Sequence, residues 1–154
     1  MKKILVIFIL LLTVSCSEKE ADYKQIVFRK DIAYEINSNT PFTGTSLDYC
    51  DNGQAKTIET YKNGIKDGPF ESLMCNGRLR DRTIYKNGKT VVMEFYYVNG
   101  SLFTRTEFDF KSGEIFLDET YWESGKPMSR TEYDIKSGEI TEYFYDEEGN
   151  LLEI

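Results

Sequence analysis

Polar and apolar residues alternate along most of this chain. Between Leu102 and Phe110, one set of alternate positions carries Leu, Thr, Thr, Phe and Phe, and the other set carries Phe, Arg, Glu and Asp. The segment from Ile115 to Trp122 alternates in the same way. Since successive side chains of a strand point to opposite faces, this period of two predicts β-strands. No stretch after Cys16 sustains the period of a helix, so we expect an all-β fold.

Glycine recurs between these segments at steps of 11 to 13 residues, and several of the glycines follow Asn. Asn-Gly between extended runs is the strongest short hairpin signal, because both central residues of a type I′ turn need positive φ. We therefore expect structural turns at nine glycines. They are Gly53, Gly64, Gly77, Gly88, Gly100, Gly113, Gly125, Gly138 and Gly149.

A longer repeat emerges when every second glycine is skipped, since the steps from Gly53 become 24, 23, 25 and 24 residues. The phrase T-E-F-D-F-K-S-G-E-I from Thr106 to Ile115 returns as T-E-Y-D-I-K-S-G-E-I from Thr131 to Ile140. Self-similarity at a fixed period indicates a repeat architecture. We predict a single-layer antiparallel meander of stacked β-hairpins, each about 24 residues long, over residues 23–154.

Aromatic residues stand three or four positions before many of these glycines. We expect the rings to form one stripe on one face, since equivalent repeat positions share a face, and to brace the sheet through cross-strand pairs. Exposed rings also mark binding sites, so the stripe is a candidate binding face for a protein or glycan. The alternative is that the rings only brace the sheet. The residues are Tyr61, Tyr85, Tyr97, Phe110 and Trp122.

The two ends of the repeat region are less regular. Tyr23 to Phe28 and Ile32 to Ile36 are predicted strands of a first hairpin, which caps the array as repeat proteins require. Leu151 to Ile154 is a predicted last edge strand.

The N-terminus has the layout of a secretory signal peptide. Lys2 and Lys3 precede the apolar run from Ile4 to Leu12, which is too short to span a membrane as a helix. The small residue before Cys16 resembles a bacterial lipoprotein cleavage box, which implies that Cys16 becomes the acylated first residue. We therefore predict a signal peptide over 1–15, helical or disordered, and a flexible tether over 16–22. The alternative is an ordinary cleaved signal.

The net charge of the chain limits the classes of partner that it can bind. The formal net charge is −7, and removal of the two lysines makes it more negative. An acidic chain is poorly suited to nucleic acid and to anionic lipid headgroups. We expect a protein of the bacterial cell envelope whose membrane contact is a lipid anchor at Cys16.

Several runs carry a family likeness, namely Y-K-N-G-I-K-D-G-P-F from Tyr61 to Phe70, I-Y-K-N-G-K from Ile84 to Lys89 and P-F-T-G-T from Pro41 to Thr45. They resemble the bacterial MORN-repeat-variant proteins, a family labelled as YwqK-type antitoxins of toxin–antitoxin systems, and in particular its exported lipoprotein-type members. The likeness covers Ile26 to Ile154. It implies a curved single-layer sheet used for binding, with neither catalytic residues nor a cofactor.

Catalytic chemistry is restricted because the chain contains no His. Ser-His-Asp and Cys-His systems are thereby excluded, and the cysteines are too few for a closed zinc site. Carboxylates recur at the repeat spacing, and we interpret them as a charged outer strand face rather than the acid pair of a glycoside hydrolase. They are Glu107, Asp109, Glu119, Glu132 and Asp134. Asp146 to Asn150 is predicted to be a turn, since it lacks the alternating ligands of a calcium loop.

Cys50 and Cys75 occupy nearly the same place in successive repeats, on strands that flank a third. Two strand spacings are about 9.6 Å, whereas a disulfide needs Cα atoms within about 7 Å. The spacing therefore favours two unpaired cysteines that pack as small apolar side chains. A bond stays open as an alternative, since export favours oxidation and both residues lie near turns, where the chain can lean.

The sequence thus favours a non-catalytic protein-interaction module on an envelope-anchored lipoprotein, antitoxin-like or immunity-like, with an unknown protein partner. A glycan-binding or carboxylate-dependent hydrolytic protein of the envelope and a purely structural envelope protein are the alternatives.

Overall fold

Residues 19–152 are described by a computed structural model, and they form strands throughout. The strands are β1 (Glu20–Asp22), β2 (Ile26–Arg29), β3 (Ile32–Glu35), β4 (Gly44–Tyr49), β5 (Ala55–Lys62), β6 (Ile65–Leu73), β7 (Leu79–Lys86), β8 (Lys89–Tyr96), β9 (Leu102–Phe108), β10 (Ile115–Tyr121), β11 (Pro127–Tyr133), β12 (Ile140–Tyr145) and β13 (Leu151–Leu152). A single 3-10 turn covers Tyr23–Gln25. None of the helical structure in this range has the length and hydropathy to cross a membrane. The predicted signal peptide and Cys16 lie outside these residues.

The strands from β4 to β13 follow one another in a single sheet, each pairing antiparallel with the next. The predicted all-β, single-layer meander is therefore confirmed. β2 and β3 form a separate two-stranded sheet, and β1 adds to the outer edge of β4 in the parallel direction. The parallel pair departs from the predicted antiparallel pattern.

The prediction of a flexible tether over 16–22 is wrong for its last residues. Glu20–Asp22 form β1, and the Lys19 carbonyl accepts a hydrogen bond of 2.7 Å from the Thr45 backbone amide. The side chain of Ala21 is buried at 6% exposure. Strand pairing uses backbone groups and needs only one inward-facing side chain, so the charged side chains of this segment do not prevent it from forming a strand. Residues 16–18 lie outside the described range.

The β2–β3 hairpin covers the first repeat, as a cap should. Its buried residues pack in one cluster with residues of the meander, at exposures between 0% and 8%. The cluster consists of Ala21, Ile26, Ala33, Phe42 and Tyr61. The Ala33 amide donates 2.9 Å to the Gly64 carbonyl, so the cap also bonds the first turn at that edge. An apolar core therefore exists only at the capped end of the described residues.

All nine predicted turn glycines have positive φ, between 74° and 91°. Two turns contain just two residues, Asn63-Gly64 and Asn87-Gly88, and both residues have positive φ, as expected for type I′. The Asn-Gly turns at the opposite edge differ. There the Gly53 amide donates to the Cys50 carbonyl and the Cys50 amide donates to the Gln54 carbonyl, both at 2.9 Å, so the loop contains three residues. The strand register shifts by one residue next to this loop, between Asp48 and Tyr49. The type I′ expectation is thus wrong at that edge, where the strand ends are offset by one residue.

The duplicated phrase builds the same four-residue loop twice. Asp109 accepts hydrogen bonds from the amides of Lys111 at 3.0 Å and Ser112 at 2.7 Å. Asp134 accepts the equivalent bonds from Lys136 at 2.8 Å and Ser137 at 3.0 Å. The backbone bonds from Ser112 and Ser137 are the main cause of a lowered pKa at each aspartate. The repetition is therefore explained by turn geometry.

Cys50 and Cys75 form a disulfide, which corrects the preference for two unpaired cysteines. Their Cα atoms are 5.8 Å apart. The estimate of about 9.6 Å applies to straight strands, whereas both cysteines lie in turns beyond the end of β5. These turns lean together, and the Asn52 side-chain amide donates 2.6 Å to the Cys75 carbonyl. Leaning of the turns therefore brings the thiols within bonding reach.

Candidate functional site

One face of the meander carries a row of alternating charges, which we call the charge ladder. Directly opposed residues of neighbouring strands share a face. The strand register opposes Glu71 to Arg82, Arg82 to Glu94 and Glu94 to Arg105, and then continues across two more strands. The ladder consists of Glu71, Arg82, Glu94, Arg105, Glu119 and Arg130. Acid and base thus alternate over six adjacent strands.

Short ion pairs connect most of the charge ladder. Arg82 lies 2.9 Å from Glu71 and 3.6 Å from Glu94, and Arg105 lies 2.5 Å from Glu94. Burial lowers the pKa of Arg82 and of Arg105, but hydrogen bonds to carboxylates outweigh it and the net pKa is raised. Every arginine of the ladder is therefore held charged beside its acids.

Tyrosines bind the acids from the same strands. Tyr96 donates to Glu94 at 2.7 Å, and Tyr121 donates to Glu119 at 2.9 Å. Burial, followed by these hydrogen bonds, raises the pKa of each phenol to about 12. Glu94 and Glu119 are thus bonded both to arginines and to tyrosines, and Glu71 is bonded to Arg82, so the acids of the ladder are used within the protein.

The five carboxylates singled out in the sequence fall into two groups. Glu107, Glu119 and Glu132 each accept a hydrogen bond from an arginine of the ladder, between 2.7 and 2.9 Å. Asp109 and Asp134 instead hold the four-residue loops. A general acid needs a raised pKa, whereas the pKa of both aspartates is lowered.

The candidate aromatic binding face is divided between two edges of the sheet, so the single stripe does not form. Successive turns of an antiparallel meander lie at opposite ends of the strands, so each end carries a row of turns, which we call an edge of the meander. Equivalent positions therefore recur every second turn. Tyr61, Tyr85 and Phe110 lie at the edge that carries Gly64, Gly88 and Gly113. Tyr97 and Trp122 lie at the edge that carries Gly100 and Gly125.

Tyr61 is buried under the cap at 2% exposure, where its ring contacts Phe28 and Phe42 with centroids 6.4 and 6.0 Å away. Its hydroxyl donates to Glu59, and burial together with this bond raises its pKa. Tyr61 therefore braces the cap and presents very little surface to a ligand.

The rings at the opposite edge are also used within the protein. Tyr97 packs on Phe103 with centroids 4.9 Å apart and donates 2.9 Å to the Tyr121 carbonyl. The Trp122 indole N–H is buried and has no hydrogen-bond partner within residues 19–152.

Lysines distinguish the edge of Tyr85 and Phe110, which we call the lysine edge. At all four of its meander turns, the residue two positions before the glycine is a lysine. These residues are Lys62, Lys86, Lys111 and Lys136. At the five turns of the other edge the same position holds Asp51, Cys75, Val98, Glu123 and Glu147. The pattern is present in the sequence, but it becomes visible only when the turns are sorted by edge.

Two ammonium groups converge on one ring of the lysine edge. The Nζ atoms of Lys86 and Lys89 lie 5.4 and 5.3 Å from the centroid of Phe110. Lys89 also donates to the carbonyls of Phe110 and Lys111, at 3.2 and 3.3 Å. The ring of Phe110 is 36% exposed, so this cluster is open to solvent.

Open hollows accompany the lysine edge. One of about 490 Å³ is lined by Phe28, Ile32, Tyr61, Ile65 and Lys66, and another of about 410 Å³ by Lys89, Met93 and Phe108. A third of about 430 Å³ lies at the repeated loop, lined by Arg130, Glu132, Asp134 and Glu139. Within residues 19–152, no three His, Cys, Asp or Glu side chains are placed to hold a metal ion.

The chain matches no family model and no curated protein. Among solved structures it is similar to part of the GtfA/B complex bound to UDP and GlcNAc, at 12% identity and a TM-score of 0.43 over 77% of this chain and 23% of that chain. A mutant of TarM from S. aureus, in complex with Fondaparinux, alpha-GlcNAc-glycerol and UDP, matches at 12% identity and a TM-score of 0.41, over 76% of this chain and 21% of that one. This chain thus spans less than a quarter of either structure.

Proposed function

We propose that this protein is a non-catalytic protein-interaction module on an envelope-anchored lipoprotein. The observation that carries the proposal is an extended single-layer sheet with exposed apolar side chains along its length. Phe28, Phe95, Phe103 and Phe144 are between 38% and 50% exposed. Exposed apolar groups of this kind commonly mark surfaces that another protein covers.

The polar groups support the same proposal. The ladder acids are bonded to arginines and tyrosines, and the loop aspartates are bonded to backbone amides. A hydrolytic acid pair would need one carboxyl group that keeps its proton near neutral pH. The strongest candidate for a hydrolytic site is the hollow at the repeated loop, which is lined by Glu132, Asp134 and Glu139. However, Glu132 is bonded to Arg130 at 2.8 Å, and Asp134 has a lowered pKa.

Photo-crosslinking in the native host tests the proposal. A benzophenone analogue of phenylalanine is placed singly at Phe95, at Phe110 or at Val98, which sample a sheet face and the two edges. We expect a discrete light-dependent adduct with one protein from at least one position, and direct binding once that protein is purified. Cells kept in the dark are the control. Loss of all three adducts in cells that produce folded protein would contradict the proposal.

The antitoxin-like form of this function predicts more about that partner. The captured protein should stop growth when it is expressed alone, and co-expression with this chain should restore growth. A harmless partner would leave an interaction module without the antitoxin role.

Anchoring is tested independently. Metabolic labelling with a radioactive fatty acid should mark the wild-type protein, and Cys16→Ser should abolish both the label and the recovery of the protein in the membrane fraction. Labelling that persists in the variant would exclude Cys16 as the acylated residue.

A further inference from the structure

We infer that the lysine edge docks an extended acidic segment of the partner protein, with apolar residues between its acids. This inference rests on the proposed interaction function and adds where the partner binds and what its chemistry is.

Positive charge at this edge is concentrated at the Gly88 turn, in a protein of net charge −7. Lysine occupies one fixed position of all four turns there and of none at the opposite edge, but acids flank it at the Gly113 and Gly138 turns. The Gly88 turn carries Lys86 and Lys89 and no acid, and both ammonium groups lie over the ring of Phe110 at the next turn. This cluster creates a local positive potential that attracts acidic groups.

These lysines lack carboxylate partners. No carboxylate within residues 19–152 lies within 4.0 Å of Lys62, Lys86, Lys89 or Lys111, whereas the ladder arginines are all paired. Asp109 stands beside the cluster but accepts the turn amides of Lys111 and Ser112. The ammonium groups around Phe110 are therefore available to charges from another molecule.

Like Asp109, Asp67 uses its carboxylate to hold a turn. It accepts a 3.3 Å hydrogen bond from the backbone amide of Asn87 at the neighbouring turn. Asp67 and Asp109 thus both hold turns in shape.

The spacing of the turns suits an extended polypeptide. Successive turns of this edge are two strands apart, which is about 9.6 Å for straight strands. Turns that lean depart from this value, and the long flexible lysine side chains can span the difference. A polyproline II segment advances about 3.1 Å per residue with three residues per turn, so every third side chain points the same way after about 9.3 Å. An acid at every third position would therefore meet successive lysines.

The hollows favour a polypeptide over a sugar–phosphate chain or a lipid surface. Phe28, Ile32 and Ile65 line the hollow beside Lys66, and Met93 and Phe108 line the one beside Lys89. Apolar side chains between the acids of a peptide can fill these hollows, whereas phosphodiester linkages cannot. A single row of charges along an edge also gives a membrane plane few contacts.

Fluorescence anisotropy with the full chain in non-ionic detergent tests the inference. The probe is a labelled peptide of four Glu-Pro-Val repeats, and the same peptide with Gln in place of Glu is its control. We expect saturable binding of the acidic peptide that weakens with added salt, and no binding of the Gln peptide.

Two triple variants locate the site. Lys86→Gln/Lys89→Gln/Lys111→Gln should weaken binding by about tenfold or more, given three lost charge contacts. The matched variant Lys24→Gln/Lys56→Gln/Lys126→Gln removes the same charge elsewhere and should change binding by less than about twofold. Circular dichroism checks that both variants fold.

Four results would overturn the inference: no binding of the acidic peptide, unchanged binding by the edge variant, equal loss in both variants, or tighter binding of polyphosphate or anionic vesicles through the same lysines. The photo-crosslinked partner separates this failure from failure of the proposed function. If that partner binds the edge variant as well as the wild type, the interaction function stands and the docking edge is wrong.

Discussion

Arg105 on β9 reaches directly across to Glu94 on β8, with 2.5 Å between its Nη1 atom and Oε1. Glu94 is only 8% exposed, which makes it one of the most buried charged residues among those described. Its carboxylate also contacts Arg82 and Tyr96. A single-layer sheet has no second layer to stabilise its strands. In this protein the charge ladder and its tyrosines form a hydrogen-bonded network that connects neighbouring strands instead.

Loss of this contact should destabilise the fold. Arg105→Ala leaves Glu94 with weaker compensation, and we expect the free energy of unfolding to fall by about 1.5–3 kcal/mol, as for hydrogen bonds to charged groups. Chemical denaturation measures the change. Arg78→Ala, which removes an exposed bond to the Val98 carbonyl, is the matched control and should cost less than about 1 kcal/mol.

A second variant distinguishes the cost of leaving the Glu94 carboxylate buried without Arg105 from the cost of losing the Arg105 hydrogen bond itself. The double variant Arg105→Met/Glu94→Leu removes both charges and should recover part of the stability, because an apolar pair has no desolvation penalty. The recovery is incomplete because Tyr96 loses its acceptor and Glu107 loses its arginine. If the double variant is no more stable than Arg105→Ala, the unpaired carboxylate is not the cause.

The tyrosines of the charge ladder make stability depend on alkaline pH. The pKa of Tyr96 and Tyr121 is about 12 in the folded protein, above the 10.0 of an ordinary phenol. A raised folded pKa means that the contribution is complete below pH 10 and is lost as the pH rises from 10 to 12.

Denaturation at pH 9, 10.5 and 11.5 should show this loss. The chain has 11 tyrosines, so the two phenols are followed by the difference in absorbance at 295 nm between the wild type and Tyr96→Phe/Tyr121→Phe. Tyr96→Phe/Tyr121→Phe should be less stable than wild type at pH 9 but should lose less stability on going to pH 11.5. Lysine titration affects both proteins equally and cancels in the comparison. Parallel curves would contradict the assignment.

The Cys50–Cys75 disulfide should stabilise the capped end of the sheet. It closes a loop with a sequence separation of 25, for which chain entropy predicts about 3.5 kcal/mol. Reduction should lower the denaturation midpoint of the wild type. Cys50→Ser/Cys75→Ser should have that lower midpoint and no response to reductant. A wild-type protein that is insensitive to full reduction would show that the bond contributes nothing.

Alanine substitutions at Gly64 and Gly125 distinguish the cost of backbone strain in a turn from the cost of a steric clash with the cap. Both have positive φ, so alanine should cost about 1–2 kcal/mol at either position. A methyl group at Gly125 meets open space, whereas at Gly64 it would lie 2.3 Å from Ile32 Cγ2 and 2.9 Å from the Ala33 carbonyl oxygen. Gly64→Ala should therefore cost about 1–3 kcal/mol more.

Limited proteolysis gives a second measurement at this site. Gly64→Ala should make the β2–β3 hairpin more susceptible to cleavage, whereas Gly125→Ala should leave it unchanged. Equal stabilities and equal cleavage in the two variants would show that the cap does not depend on close contact with the Gly64 turn.

Much of the fold was predictable because its signals are local. The alternation in Leu102 to Phe110 and the glycine after each strand are read from a few residues, and the meander follows from their order. The tether was wrong at Glu20–Asp22 because pairing with β4 depends on a distant strand. The single aromatic stripe was wrong because successive turns of a meander lie at opposite edges, which separates Phe110 from Trp122.

The sequence by itself determined where the chain extends and where it reverses, since alternation and positive φ are properties of single residues and their neighbours. Only the tertiary structure decided that Cys50 meets Cys75 and that Glu94 lies between two arginines. Each of these depends on register and on the leaning of turns, which arise when many strands pair at once.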